Sequence, residues 1–516
     1  MTAALKIVFL TPGTGGWYCG ACMRDNALAK ALHAAGHEVS LLPMYLPLQL
    51  DEEVLESARD TPVFFGGINI FLQQKFRLFR HTPRWLDKLL DHPRLLRSVA
   101  RHSHMTSARD HGELTLAMLR LEDRRLGKEL DKLCAWLQQL SPDILCLSTA
   151  LQAGMIPELK RRLGGTKLIC CFQGEDTFLD GLPEPYRNAC WSDLALRARE
   201  ADALISPSAF YAGLMQQRLG PANLTIHVLP NGIDLAGYAP QPSKPGPPVI
   251  GFLARMCRDK GLEVMVDAFI HLRTVLAHPD ARLHLAGAAT ADNQALIESL
   301  QQRLEAVGLT DQVKWQTNLS RSDKIAMLGA LTLFSVPAIY PEAFGLYVIE
   351  AMACGVPVVQ PAAASFPEII ARAGVGVLVP PGAASGPEDS RPGCQGKRAS
   401  RLFSSSATRA MTPPPASANA IALAQAWHKL LNEPNKLCEM AAASRRAAEE
   451  FYDVRAMRDG FLALARELLT SGAGILPAAS FQTTQSAKST GLDILPAASD
   501  SGQDARTTGA TGPPSI

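Results

Sequence analysis

The sequence predicts an α/β protein built from two doubly wound, Rossmann-like domains that face a cleft. Three observations carry this. Short β-rich runs alternate with stretches of helical spacing, which implies parallel sheets covered by helices. The alternation stops at a proline-rich joint, "YAPQPSKPGPP" at 238–248, and then restarts. At 516 residues the chain is also too long for one hydrophobic core.

The elements follow in order. "LKIVFLTP" (5–12) reads as a buried strand, "DNALAKALHAAG" (25–36) as a helix closed by glycine, and "HEVSLLPMY" (37–45) as a second strand. "DILCLST" (143–149), "KLICCFQ" (167–173) and "ALISPS" (203–208) continue the first domain, 1–237. After the joint, strands are expected at 249–255, 282–287, 313–318, 331–338, 357–362 and 376–381, within a second domain over 249–449. A last long helix is expected at about 450–468, in a crossover segment 450–470. In this architecture a ligand sits at the carboxyl ends of the strands.

Three segments depart from the plan. Residues 46–140 form a mainly helical insertion, basic and aromatic around "QKFRLFRHTPRW" (74–85). The spacing favours a helical subdomain with inward aromatics; the alternative is a peripheral contact with a membrane or a charged acceptor. Residues 383–417 and the tail 471–516 are rich in small and polar residues and are expected to be disordered.

Composition narrows the classes of function. Hydrophobic residues make up 47% and charged residues 19%, as in ordinary globular chains. Lys and Arg number 51 against 49 Asp and Glu, a net charge of +2, so nothing asks for nucleic acid as a partner. The N-terminus lacks the pattern of a signal peptide, and no apolar stretch reaches the roughly 18 residues of a membrane span. A cytoplasmic location is expected. Eleven cysteines at irregular spacing, several inside strand-like runs (Cys146, Cys170, Cys171), read as buried hydrophobes and not as a disulfide framework.

The chemistry concentrates in "YPEAFGLYVIEAMACGVPVV", 340–359. A helix is expected to start near Phe344-Gly345, with Glu342 on the loop before it and Glu350 in its second turn. The unpaired N–H groups at such a helix start favour an anion, and Gly345 permits close approach to the backbone. A pyrophosphate there would put a ribose within reach of Glu350 and the distal group before Glu342. By itself the pair also fits an amphipathic helix with two incidental carboxylates. Arg255 and Lys260, in "GFLARMCRDKG", lie in the loop leaving the second domain's first strand, where they could neutralise a diphosphate or simply be solvated. "LPNGID" (229–234) supplies an Asn-Gly turn entering the joint.

With these motifs in order, the sequence resembles the family 4 glycosyltransferases of the GT-B fold. The matching residues are Glu342-x7-Glu350, Arg255 and Lys260, "NGID" at 231–234 and the glycine loop at 13–16. The resemblance covers about 1–45, 140–382 and 418–470. It implies a retaining transfer of sugar from a nucleotide-diphosphate donor, UDP- or GDP-linked, to a hydroxyl of a glycan, lipid or small molecule. It implies that Glu350 holds the ribose and Glu342 the donor sugar. Arg255, Lys260 and the helix start at Phe344, Gly345 and Leu346 would hold the diphosphate, and Gly15 and Gly16 would close over the donor. No metal or other cofactor is implied. The implied catalytic set is Glu342, Arg255, Lys260 and Asp176.

One departure bears on the acceptor. Where many members of the family carry a histidine, this chain has Gln173, followed by Glu175 and Asp176, which could orient an acceptor hydroxyl. The departure leaves two rivals open, a nucleotide-sugar-binding protein without turnover and a GT-B epimerase. The stretch "GTGGWYCGACMRDN" (13–26) also contains Cys19-Gly20-Ala21-Cys22, which resembles a redox pair. With no second Cys-x-x-Cys and a far larger architecture, the glycines are expected to carry the function. Cys19 and Cys22 are expected to begin a helix and pack, and Asp25 and Asn26 on that helix could reach the cleft or simply form its polar face.

Overall fold

The structure is a computed structural model that describes residues 3–13, 19–48, 50, 52–58, 61, 63–65, 111–121, 124–220, 224–241, 246–381 and 416–470. The N-terminal domain runs β1 (Lys6–Thr11), α1 (Gly20–Ala34), β2 (Glu38–Pro43), α2 (Gly112–Arg120), α3 (Arg124–Leu140) and β3 (Ile144–Leu147). It continues through α4 (Ile156–Leu163), β4 (Lys167–Cys171), α5 (Glu175–Asp180), α6 (Tyr186–Ala198), β5 (Ala203–Ser206), α7 (Ala209–Leu219) and β6 (Ile226–Val228). Its six strands pair in parallel in the order β2-β1-β3-β4-β5-β6. The order reverses between β1 and β3, a topological switch point, and α1 follows β1 there.

The C-terminal domain runs β7 (Val249–Leu253), α8 (Leu262–Thr274), β8 (Arg282–Gly287), α9 (Gln294–Ala306), β9 (Val313–Thr317), α10 (Arg321–Gly329) and β10 (Leu333–Phe334). Then come α11 (Leu346–Ala353), β11 (Val359–Pro361), α12 (Phe366–Ala373), β12 (Val377–Val379), α13 (Ala418–Leu431), α14 (Pro434–Phe451) and α15 (Val454–Thr470). Four strands pair in the order β10-β7-β8-β9, and a bridge from Phe334 to Val358 links them to the parallel pair β11-β12. The two-domain α/β class read from the sequence is therefore what the chain adopts.

Several boundaries differ from the expectation. Helix α1 begins at Gly20, not near 25; it is buried almost all round, with Cys22 through Ala29 all buried, so no amphipathic edge marks its start. The strand expected over 331–338 shrinks to Leu333–Phe334, since the chain beyond leaves the ladder and Val336 N–H turns to Gln360 Oε1 at 3.2 Å. The short strand β6 was not foreseen in its polar surroundings. Helices α2 and α3, within the 46–140 insertion, put Met118, Leu119, Leu130, Leu133 and Leu137 into the core of the N-terminal domain. The 74–85 stretch, residues 383–415 and the tail 471–516 lie outside the described residues; Ser417 caps α13 through Ala420 N–H at 3.3 Å.

The helix expected at 450–468 is broken at Tyr452–Asp453. Ile233 N–H donates to the Tyr452 carbonyl and Val454 N–H to the Ile233 carbonyl, both at 2.9 Å, so the two chain crossings between the domains pair with each other. A Cβ on Gly232 would come within 2.9 Å of Val454 Cα, so the crossing needs glycine there. Beyond it α15 packs on the N-terminal domain through Met457, Phe461, Leu462 and Leu464, with the Phe461 ring 5.7 Å from that of Phe9. Phe451 stays at the end of α14 against the C-terminal core. Among the described residues no helix is long and apolar enough to cross a membrane.

Candidate active site

The second domain builds its site around the loop before α11. Gly345 caps this helix with φ +91°, a conformation that favours glycine, and a Cβ there would lie 3.1 Å from Phe366 and 3.6 Å from Glu342 Cγ. The turn lays the Glu342 side chain across the helix start. Its Oε2 accepts from Lys260 Nζ at 2.5 Å, from Tyr347 Oη at 2.7 Å and from Tyr340 Oη at 2.8 Å. Lys260 also donates to Tyr340, and its ammonium lies 4.6 Å from the centre of that ring and 5.2 Å from that of Tyr347. Burial would push the Glu342 carboxyl upward, but the Lys260 charge and the three hydrogen bonds hold it below the usual carboxylate range. Glu342 is therefore a preorganised anion clasped by one cation and two phenols.

Lys260 reaches this point because Gly261, at φ +75°, turns the chain where a Cβ would run into the Pro337 carbonyl. Arg255, in the same loop, is exposed, and its charge acts on the Tyr340 hydroxyl. Phe344 is not a surface for a ligand. Its ring packs in the core 6.1 Å from that of Tyr452, so only its backbone faces the helix start. Leu346 is also buried, and its methyl would lie 3.5 Å from a Cβ on Gly20 at the start of α1. The N-termini of α1 and α11 thus meet across the two domains.

Glu350 is one turn further on and almost wholly buried. Its Oε1 accepts from Lys324 Nζ at 2.7 Å and from Tyr238 Oη at 2.9 Å, and the Arg321 guanidinium stacks over the Tyr238 ring at 5.2 Å. These groups line a small cleft together with Arg24 of α1 and Asp234. Sequence reasoning missed Lys324, Tyr238, Tyr340 and Tyr347. Lys324 had a readable signal: with Met327 and Leu328 it occupies the buried face of α10, where a lysine calls for a partner.

The first domain presents the loop after β4. Gln173 and Gly174 are partly exposed, and a Cβ on Gly174 would lie 3.9 Å from that of Ala343, so this loop faces the Glu342 loop. Glu175, expected to orient an acceptor, turns inward. Its Oε1 accepts from Thr149 Oγ1 and Ala150 N–H, and its Oε2 from Gln173 N–H, Gly174 N–H and Tyr211 Oη, at 2.8–3.2 Å. The carboxylate fastens the loop and has no capacity left for an acceptor. Asp176 Oδ1 accepts from Tyr211 Oη at 2.9 Å, and burial raises its pKa despite that bond. Ser208 Oγ donates to the Ala343 carbonyl at 2.7 Å, and Glu368 Oε2 accepts from Ala209 N–H at 2.8 Å, tying the two domains beside the cleft.

In the N-terminal loop, Gly13 is described and Gly15 and Gly16 lie outside the described residues. Asn26 does not reach the cleft: it pins the loop over 53–55 through Glu53 O and Leu55 N–H, both at 3.0 Å. Asp25 is fully buried beside Arg24, with Arg24 Nε 3.1 Å from Asp25 Oδ1. Among the described residues no group of three His, Cys, Asp or Glu is arranged to hold a metal ion.

Two parallel-sheet domains whose helix starts meet beside a clasped carboxylate define the architecture, and comparison with known proteins gives its family. Residues 24–232 match the family model of the glycosyl transferase 4-like domain and residues 239–386 that of the glycosyl transferases group 1. Together these span more than half of the chain, and the chain belongs to the group 1 glycosyl transferases of the GT-B fold. It is 28% identical over 189 residues to D-inositol 3-phosphate glycosyltransferase of Mycobacterium sp. (strain JLS), covering 35% of this chain and 42% of that protein. It is 30% identical over 176 residues to mannosylfructose-phosphate synthase of Agrobacterium fabrum, covering 31% and 38%. The matched segment thus spans about two fifths of these relatives' own length. Among solved structures, sucrose-phosphate synthase from Thermosynechococcus elongatus superposes with a TM-score of 0.62 at 17% identity, covering 90% of this chain and 99% of that one. Anabaena HepE in complex with UDP and glucose gives 0.55 at 18%, covering 90% and 100%. At such identities these likenesses show the fold.

Proposed function

We propose that the protein is a retaining glycosyltransferase that moves a sugar from a nucleotide-diphosphate donor to an acceptor hydroxyl. The observation that carries the reading is the juxtaposition at the start of α11: Glu342 clasped by Lys260, Arg255 exposed in the same loop as Lys260, and Glu350 one turn further along the helix. A donor laid along this start has its diphosphate against the helix N–H groups, Arg255 and Lys260. Its ribose reaches toward Glu350 and its sugar toward Glu342. As the sugar–phosphate bond breaks, negative charge grows on the diphosphate and is met by those cations and dipoles. The acceptor hydroxyl attacks the same face of the sugar and gives its proton to a departing phosphate oxygen. This route needs no protein base, so Gln173 in place of a histidine is tolerated, and no metal is required.

Of the two donor nucleotides, UDP is favoured, because HepE, which shares the fold, was solved with UDP and with UDP-glucose. Asp176 and Gln173 are the acceptor-side residues in this reading, with Glu175 fastening their loop. The acceptor is a glycan, lipid or small molecule, and the reaction is assigned to the cytoplasm. Gln173 favours a second reading, a nucleotide-sugar-binding protein without turnover.

The test is incubation of the full chain with UDP- and GDP-sugars, with and without a panel of sugar, sugar-phosphate and polyprenol acceptors. Release of nucleotide diphosphate that depends on acceptor, with the anomeric configuration retained in the product, supports transfer. Tight donor binding with no acceptor-dependent release supports the second reading.

A further inference from the structure

The proposed reaction makes no use of Cys19 and Cys22, yet their placement is specific. Cys19 is the N-cap of α1, with extended backbone (φ −129°, ψ 108°), and is partly exposed. Cys22 lies one turn on and is fully buried. Thr11 Oγ1 donates to Cys22 Sγ at 3.4 Å, and Cys22 lies three residues after Cys19 on the first turn of the helix. The first turn of α1 contains no acidic residue, so its positive end is left for Cys19. Between the cysteines, Gly20 abuts Leu346, the first residue of α11.

The pair is also chemically asymmetric. The hydrogen bond from Cys22 holds the Cys19 thiol below its ordinary value, whereas the same bond and burial push Cys22 well above. Such an arrangement, one partly exposed thiol with a buried neighbour one turn away, suits attack by the first and resolution by the second. The other close pair, Cys146 and Cys171 with sulfurs 3.5 Å apart, lies wholly inside the sheet and offers no access to an oxidant.

We propose that Cys19 and Cys22 form a thiol–disulfide site that is oxidised by low-molecular-weight disulfides and thereby weakens donor binding in the cleft. The Cys19 thiolate attacks one sulfur of the oxidant RSSR, forming the Cys19–SR mixed disulfide and releasing one RS⁻. Cys22 then gives up its proton and attacks Cys19 Sγ, which closes the Cys19–Cys22 bond and expels the second RS⁻. Two cysteine thiols are oxidised, one disulfide is reduced, and the two protons leave on two RSH. Closure fixes the sulfurs at about 2.05 Å. Gly20, between the two cysteines, packs on Leu346, so the strain of closure is expected to fall on the start of α11. The effect on the donor rests on the reading of the α11 start as the diphosphate end.

The full chain is treated with oxidised glutathione, and its peptides are mapped by mass under non-reducing conditions. The expected result is a Cys19–Cys22 disulfide with no glutathione retained. Cys22→Ala should keep one glutathione on Cys19, and Cys19→Ser should leave Cys22 unmodified. Titration of UDP into the reduced and oxidised proteins should show roughly tenfold weaker binding after oxidation, the size of one lost hydrogen bond to a charged group. Glutathione remaining on Cys19 of the unaltered chain, Cys22 reacting without Cys19, or a disulfide with unchanged UDP affinity would each overturn the proposal. The mapping stands whether or not the chain is a transferase. If the reduced protein binds neither UDP nor GDP, it is the donor reading that fails.

Discussion

Lys324 Nζ lies 2.7 Å from Glu350 Oε1, with 3% and 1% of the two side chains exposed, so the carboxylate assigned to the ribose is held by a buried cation from a neighbouring helix. Desolvating both charges is costly, and the pair persists because each neutralises the other while Tyr238 adds a further hydrogen bond. Such a carboxylate is fixed before a ligand arrives. Its orientation is a property of the packing between α10 and α11.

Glu350→Ala should weaken binding of the nucleotide diphosphate by about 1–3 kcal/mol through lost hydrogen bonds to the ribose. It should also lower stability by about 3–5 kcal/mol, because Lys324 loses a buried partner. Lys324→Met should be destabilising to a similar degree and should weaken nucleotide binding although it touches no ribose. Titration calorimetry and thermal melts on both variants check this. Unchanged affinity in Glu350→Ala would remove the ribose assignment.

Arg255→Ala and Lys260→Ala should each lower kcat by ~10²-fold or more, since in the proposed reaction both cations meet charge that grows in the transition state. Their stabilities should differ. Arg255 is exposed and its loss should leave the melt unchanged, whereas loss of Lys260 leaves Glu342 with two phenols and no cation. Both variants should lose more affinity for the diphosphate than for the nucleoside. Equal losses on the two ligands would contradict contact with phosphate.

Asp176 has its pKa raised by burial, against the opposing hydrogen bond from Tyr211 and with the Glu175 charge adding to the rise. A carboxyl with a raised folded pKa adds stability below its unfolded value, and that contribution is lost as pH rises through the folded one. Asp176→Asn, which keeps an acceptor for Tyr211, should therefore melt higher than the unaltered chain at pH 7.5, with the gap narrowing toward pH 4. If Asp176 meets the acceptor, turnover should fall in the same variant while UDP affinity holds. A variant less stable at pH 7.5 would show that the charged form is the favoured one.

Phe461→Ala should cost about 3–5 kcal/mol, since the ring is fully buried against Phe9 between α15 and the N-terminal sheet. Gly232→Ala should disturb the paired crossings through a clash with the 453–454 backbone, and so impair turnover through domain alignment. Thermal melts and acceptor-dependent nucleotide release on the two variants separate the effects. A Gly232→Ala protein with full activity would show that the crossing yields without cost.

The sequence by itself determined the two-domain α/β class, through the alternation of strand and helix and its restart after the 238–248 joint. It also put Glu342, Gly345 and Glu350 on one loop and helix, because the residues that shape a helix start are local in the chain. What surrounds those carboxylates was decided only in three dimensions. Lys260 is 82 residues from Glu342, and Tyr238 is 112 from Glu350, so no periodicity relates them. Glu175 looked available for an acceptor because its neighbours in sequence are polar. Thr149 and Tyr211, brought in by β3 and α7, occupy it instead. Phe344 stands at the helix start, but which side of an apolar residue meets the core depends on its tertiary partners, and its ring packs inward while its backbone faces the site. Local sequence sets where the backbone can bind an anion; long-range packing sets which side chains remain free to use it.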